Sequence, residues 1–271
     1  MLSTDPTTGA RRGAGRLDVR VDDSRPGRVW SLVAAQAASR GGKMSVTDAC
    51  AAAVVAAEVT GGWLSAARDT QAGHLMQVTD DVGERLAELQ LTLGEGPSLD
   101  VAASGGPVLA CDLAAGEAGR RWPGFAPAAR QAGAAAIFVF PLRIGAIRAG
   151  VLGLYRNRPG ALSTFQLGDA LVFADTATLL LLGAQHPATA EPGPGAGPGG
   201  QPSDLALHRA EVDQATGMLT EQLGVGIADA FVRLRAYAYV RDLRLTDVAR
   251  DIVARRLRLH PSPGTAGDDD P

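Results

Sequence analysis

Arg233, Tyr237 and Arg241 stand four residues apart along one stretch of the chain. On an α-helix that spacing forms a single stripe. Guanidinium groups pair with phosphate oxygens through a planar fork of donors, and a tyrosine ring can stack on an unpaired base. Such a stripe suits structured nucleic acid. Arg235 lies within the same stretch, Arg244 and Thr246 open the next one, and Arg250, Arg255, Arg256 and Arg258 crowd its end. A plainer reading exists. Arginine near a helix C-terminus complements the helix dipole, and this chain uses arginine almost exclusively, Lys43 being its single lysine. Charge distribution favours the first reading. Residues 205–260 hold nine Arg against seven acids, about +2, while the rest of the chain holds 17 basic and 22 acidic residues, −5. A local basic region inside an acidic chain is the footprint of a polyanion site.

Other chemistry is sparse. His74, His186, His208 and His260 are scattered, and none stands at ligand spacing from a Cys or carboxylate, so no metal is expected. Cys50 and Cys111 lack metal spacing too and read as reduced, buried small hydrophobes. Gly94-x-Gly96 lacks the Lys-Ser/Thr that completes a phosphate loop. Asp80-Asp81 could serve phosphoryl chemistry but reads more simply as a loop and a helix N-cap before Val82–Leu89. No Ser, His and Asp set stands in a nucleophile context. No catalytic residue or cofactor is assigned, and an enzyme is not expected.

Three short amphipathic segments must position the arginines. The first repeats Val212, Ala215, Leu219 and Leu223; the second Ile227, Phe231, Leu234 and Ala238; the third Leu245, Val248 or Ala249, and Ile252 or Val253. Each has the period of one buried helix face, and three such stripes can cover one another. Ala215-Thr216-Gly217 puts two tiny residues in the first helix. A mid-helix Gly costs about 1 kcal/mol against Ala, so a close helix approach is expected there.

Ala215-x-Gly217, Asp229-Ala230-Phe231-x-x-Leu234-Arg235-x-x-Ala238 and Arg244-Leu245-x-Asp247-Val248-Ala249-x-x-Ile252-Val253 together resemble an ANTAR domain. The resemblance covers almost all of 205–260 in spacing and order. It implies a three-helix RNA-binding module of bacterial transcription antiterminators, with structured RNA (paired stem-loops) as partner and Arg233, Arg235, Tyr237, Arg241, Arg244 and Thr246 as RNA-contacting candidates. Two positions depart from the family's habit: Thr216 where a Lys is frequent, and Asp242 where an Asn is frequent. Each would remove a favourable contact if that position touches RNA.

The larger domain spans roughly 45–184. Thr47-Asp48 caps an alanine-rich helix running to Glu58. Strands follow at 61–68 and 73–78 around the turn Asp69–Ala72, then a helix over 81–89, a short strand at 107–111 and a helix over 125–131. The strongest strands, 135–143 and 149–155, flank a short turn, and a long helix over 164–183 closes the unit. The fold class is α+β: an antiparallel sheet carrying helices, followed by a separate all-α three-helix bundle. This order is similar to a GAF domain, a sensory fold of bacterial signalling proteins. Leu93-Gly94-Glu95-Gly96-Pro97-Ser98-Leu99 resembles the Gly-Glu-Gly-Pro stretch of GAF domains placed ahead of ANTAR modules, and Val151-Leu152-Gly153-Leu154-Tyr155 resembles the fifth GAF strand. The pair resembles transcription antitermination regulators of actinobacterial type. The resemblance implies a small-molecule pocket over the sheet, for which Trp63, Met76, Leu99, Trp122 and Phe138 are candidates. Simple core packing is the alternative for each.

Residues 1–44 read as a disordered tail with a short helical patch at Val29–Ala38, residues 185–204 as a Pro/Gly linker with five Pro, and 261–271 as a disordered acidic tail. Such a linker cannot carry a rigid helical signal, so the domains are expected to communicate through tethering. The N-terminus lacks the apolar core of a signal peptide, and no unbroken apolar run reaches a membrane span. A cytoplasmic protein without membrane association is expected. Apolar positions Ala53, Val54, Ala57, Leu171, Ala174, Leu179 and Leu182 exceed what one sheet face covers, which predicts a homodimer through the GAF-like domain. Two other functions stay open. One is a DNA-binding regulator, for which no recognition helix follows Thr246–Arg256. The other is a protein-interaction or dimerisation module, which calls for a larger apolar patch on the helical end.

Overall fold

The computed structural model describes residues 24–67, 74–185, 204–241 and 243–260. The expected turn at 69–72, most of the linker, the acidic tail and Asp242 lie outside the described residues. Five strands form one antiparallel sheet: β1 (Gly61–Ala66), β2 (His74–Val78), β3 (Val108–Ala110), β4 (Ala136–Ile144) and β5 (Ile147–Arg156), in the order β2-β1-β5-β4-β3. Alternation along the strands sends side chains to two faces, and helices cover both. On one face Leu64, Phe138, Phe140, Leu142, Leu152 and Leu154 pack under α1 (Arg25–Arg40), α2 (Val46–Ala56) and α7 (Thr164–Gln185). On the other, Trp63, Ile137, Val139, Val151 and Tyr155 pack under α3 (Asp81–Leu93), α4 (Pro97–Ser104), α5 (Gly116–Arg121) and α6 (Phe125–Gln131). The expected α+β arrangement is present, with α6 on the predicted residues.

Helix α1 corrects the expected N-terminal tail. Ser24 caps it by accepting from the Gly27 amide, Pro26 lies in its first turn, and Gly41 ends it in the left-handed region at φ 74°. Val29, Val33 and Ala37, at steps of four, are buried against the domain. Ion pairs fasten both ends. Arg25 and Arg28 reach Asp169 of α7, which is almost fully buried, and Arg40 holds Asp48 of α2 at 2.8 Å. Charged residues around a modest apolar stripe had suggested disorder; here they supply the docking contacts. Ala53, Ala57 and Ala174, expected to face a partner, are buried within the chain, while Leu171 and Leu179 remain exposed.

Helix α7 begins at the expected Thr164 and runs on to Gln185. From Thr164 to Gly183 it is long and apolar enough to cross a membrane by length and composition. Phe173, Ala174, Ala177 and Leu181 nevertheless line the core, and Thr176 and Thr178 return their hydroxyls to the Val172 and Ala174 carbonyls. Its buried hydroxyls are therefore satisfied within the helix, and its buried Asp169 by the arginines of α1.

The C-terminal bundle comprises α8 (Asp204–Leu223), α9 (Ile227–Val240) and α10 (Leu245–Val253). Val212, Ala215, Leu219, Ala230, Phe231, Leu234, Ala238, Leu245, Val248, Ala249 and Ile252 form its core; all but Ala230 stand in the predicted stripes, whereas the expected Ile227, the first residue of α9, is 69 % exposed. Gly217 departs from expectation. Added side-chain bulk there would meet open space, so the close approach belongs to buried Ala215 alone.

The Arg40 hydrogen bond, against the pull of burial and with help from Ser45, holds the Asp48 carboxyl below its ordinary pKa. A depressed folded-state pKa stabilises above the unfolded value of about 3.9 and loses that contribution as pH falls. Asp48→Asn should therefore lower unfolding stability at pH 7 by about 1.5–3 kcal/mol, the range for hydrogen bonds to a charged group. The difference from wild type in urea unfolding should shrink toward zero as pH falls from that unfolded value through the depressed folded pKa and the carboxyl protonates.

Candidate nucleic-acid interface

Helix α9 is the centre of the basic surface. Ala230, Phe231, Leu234 and Ala238 face the bundle core. Arg233 and Arg241 flank that face and make no ion pair among the described residues. The Arg241 guanidinium lies 5.1 Å from the Tyr237 ring centroid, so Tyr237 is a half-buried platform beneath a cation and not an open stacking surface. Tyr239 is the more exposed ring, at 62 %, and sequence reasoning passed over it. Counting from the buried face would have found it, since residue 239 points away from Leu234 and Ala238. Of the arginines beyond α9, Arg250 is held by Glu211 at 3.3 Å and Asp247 at 3.0 Å, and Arg256 by Asp251 at 2.7 Å. Arg255 and Arg258 are exposed.

Two predicted contact residues are engaged elsewhere. Arg235 donates from Nε to the Thr92 carbonyl at 3.1 Å and lies against Gly94, at the C-terminal end of α3. Burial depresses its pKa. Arg244 donates from Nε to Glu88 at 3.2 Å, and its Nη2 lies 3.3 Å from Glu84. Burial works against that charge, yet Glu88 and Glu84 hold the Arg244 pKa above its ordinary value. The Leu245 amide donates to the second Glu88 oxygen at 2.8 Å. Thr246, one residue on, is half-buried in the first turn of α10. The structure thus leaves half-buried Arg233 and exposed Arg241 without an ion pair among the described residues, and engages Arg235 and the still exposed Arg244 with the sheet domain. Thr216 is buried and returns its hydroxyl to the Val212 carbonyl at 2.7 Å, so its side chain offers nothing to a surface ligand.

The five ligand-pocket candidates do not line one cavity. Trp63 and Trp122 are buried beneath α3–α6, whereas Phe138 and Met76 pack with the opposite face, and Leu99 is half-buried on α4. Strand alternation is the reason: Ile137 and Phe138, adjacent on β4, must face opposite layers. Trp63 fills its own layer. A Cβ at Gly153 would come 2.2 Å from the indole, so only glycine on β5 admits the ring. The Trp63 indole nitrogen is buried with no hydrogen-bond partner among the described residues. Trp122 has one, since its Nε1 donates to Asp100 at 3.0 Å. The Gly94-Glu95-Gly96-Pro97 stretch is structural as well. Glu95 accepts from the Gly124 and Phe125 amides, both at 2.7 Å, and so caps α6, while Pro97 opens α4. Asp80 caps α3 through the Gly83 amide at 2.8 Å and accepts from the Tyr155 hydroxyl at 2.8 Å, a structural role as expected.

The bundle's order of small, apolar and basic residues is matched by a known family over residues 206–253. This segment is an ANTAR domain. No curated protein matches the chain. Among solved structures, the chain is similar to the GAF domain of an Acinetobacter phosphoenolpyruvate-protein phosphotransferase, with 13% identity, a TM-score of 0.44, and coverage of 58% of this chain and 95% of that one. It is also similar to the GAF domain of a Coxiella burnetii phosphoenolpyruvate-protein phosphotransferase, with 11% identity, a TM-score of 0.43, and coverage of 60% and 97%. The sheet order and two helical layers described above carry the fold assignment: a GAF-like domain ahead of the ANTAR domain.

Trp63→Ala should cost about 3–5 kcal/mol of unfolding free energy, as for a large aromatic removed from a packed core. Urea unfolding of the two proteins measures it. A cost under about 1 kcal/mol, far below that range, would mean that the layer between α3 and the sheet is not packed around this indole.

Proposed function

We propose that this chain is a cytoplasmic regulator, not an enzyme, whose ANTAR domain binds paired stem-loops in nascent RNA and prevents a terminator hairpin from forming. The observation that carries this reading is the flank of α9, where Arg233 stands with Arg241 over the Tyr237 ring and no carboxylate neutralises either arginine among the described residues, while Tyr239 is exposed on another face of the same helix. Arginine forks on phosphates and an aromatic on a loop base are the means by which proteins hold structured RNA. A helix-turn-helix on DNA fits less well. Helix α10 has only nine residues, its buried face serves the bundle core, and no further helix follows it among the described residues.

The GAF-like domain would set when binding occurs, through dimerisation or a small ligand. Trp63 packed across Gly153 favours dimerisation. Two exposed apolar stripes are available for a homodimer: Leu171 and Leu179 on α7, and Val232, Tyr239 and Val240 on α9 followed by Leu243. The second is a larger apolar surface than the sequence suggested and supports a protein-pairing role alongside RNA binding.

Two outcomes are expected. Arg233→Ala with Arg241→Ala should weaken binding to a two-stem-loop RNA by about 1–3 kcal/mol and lower the salt slope by about one for each phosphate left without its arginine. Equal affinity across a salt series would place RNA recognition elsewhere on the chain. In sedimentation, the wild-type chain should be dimeric at micromolar concentration. Leu171→Asp with Leu179→Asp should render it monomeric if α7 forms the interface, whereas Val232→Asp with Val240→Asp should do so if α9 does.

A further inference from the structure

We infer that helix α3 of the GAF-like domain is a built-in competitor of RNA, holding part of the ANTAR surface by imitating a phosphate. The inference rests on the RNA-binding reading above and adds the mechanism that controls it. One face of α3 carries Glu84, Glu88 and Leu91, at steps of four and three, and this face meets the bundle. Leu91 packs against the bundle core, Glu88 spans the Leu245 amide and the Arg244 Nε with its two oxygens, and Glu84 takes the Arg244 Nη2. Just past Leu91, the Thr92 carbonyl takes Arg235.

A phosphate group offers anionic oxygens to guanidinium and backbone N–H donors, and a carboxylate pair offers the same to the same donors. The donors occupied here are a guanidinium and a backbone amide at the start of α10, plus a second guanidinium from α9. They include Arg235 and Arg244, two of the residues that the family resemblance assigns to RNA. Glu88 is only 9% exposed, so this is not a loose surface pair. Arg85 of the same helix lies 3.7 Å away, so the bundle supplies its hydrogen bonds while Arg85 supplies a longer ion pair. Gly94 completes the seat. A Cβ there would come 1.9 Å from Arg235 Nη2, and its φ of 71° is one that L side chains rarely adopt. The docked position of Arg235 therefore depends on this glycine of the Gly-Glu-Gly-Pro stretch.

RNA phosphates and α3 cannot hold the same Arg244 and Leu245 donors together. The apparent RNA affinity is then the intrinsic one reduced by the fraction of molecules in which the bundle has left α3. The opposite face of α3 offers a route to control. Leu86 and Leu89 lie in the Trp63 layer of the sheet domain, so repacking there would shift the carboxylates on the outward face.

The test uses the full-length chain and a two-stem-loop RNA. Glu84→Gln with Glu88→Gln keeps an acceptor for the Leu245 amide while removing both charges, and should bind RNA about tenfold more tightly than wild type, the gain expected when a clamp leaves about one molecule in ten competent. In the wild type, where no substitution can disturb folding, carboxyl-specific labelling read by mass spectrometry should rise at Glu84 and Glu88 when RNA is added. RNA bound with equal affinity by both proteins, or bound without a rise in labelling, overturns the competition and leaves RNA binding intact. No RNA bound by either protein at low salt removes the RNA reading and the competition with it.

Discussion

A carboxylate removed from water needs donors, and among the described residues Glu88 finds its hydrogen bonds in the other domain, with the longer Arg85 ion pair at 3.7 Å from its own helix. The effective penalty for burying an ion is several kcal/mol, offset only by well-placed hydrogen bonds and opposite charge. The Leu245 amide and Arg244 provide both. Neither α3 nor the start of α10 can then move without exposing the other to water or leaving a charge unpaired. The same helix carries Leu86 and Leu89 into the layer beneath the sheet and takes its N-cap from Asp80, which also holds Tyr155 of β5. Sheet, α3 and bundle form one chain of contacts, with Glu88 at the joint between the two domains.

The interior of each domain was legible because periodicity reports burial. The stripes of α8, α9 and α10 name their own core, and the 125–131 segment forms α6 on those residues. The pairing of the two strongest strands follows from their length and the short turn between them. The extent and docking of helix α1 beyond its expected Val29–Ala38 patch were hidden for a physical reason. Its stripe of Val29, Val33 and Ala37 is narrow, and its docking depends on partners beyond its own ends. Arg28 finds its acid 141 residues away, and Arg25 shares that same Asp169. No local pattern encodes such pairs. Helices α4 and α5, of eight and six residues, are too short for a helical period to stand out.

The candidate site was legible in kind but not in allocation. Arginine spacing marks a basic helix face; it cannot say which arginines meet solvent and which meet another domain. Arg233 and Arg235 are two residues apart, hence on different faces, and only the packing of α3 on one flank separates their fates. Tyr237 and Tyr239 divide the same way, one half-buried beneath Arg241 and one exposed. The pocket candidates failed for the complementary reason. Choosing large apolar residues by type ignores that neighbouring strand positions serve opposite layers, so Phe138 and Trp63 never share a wall.

Coupling between the domains does not need to pass through the segment that joins them. From the Pro/Gly composition of 185–204 alone, tethering is the expected route. The contacts of α3 supply another. The seat is a modest interface of two arginines, one amide and Leu91, with α8 lying against β2 beside it. Being modest, it can also be displaced by a polyanion offering more contacts than two glutamates. Glu84 and Glu88 then set how long the bundle stays on α3.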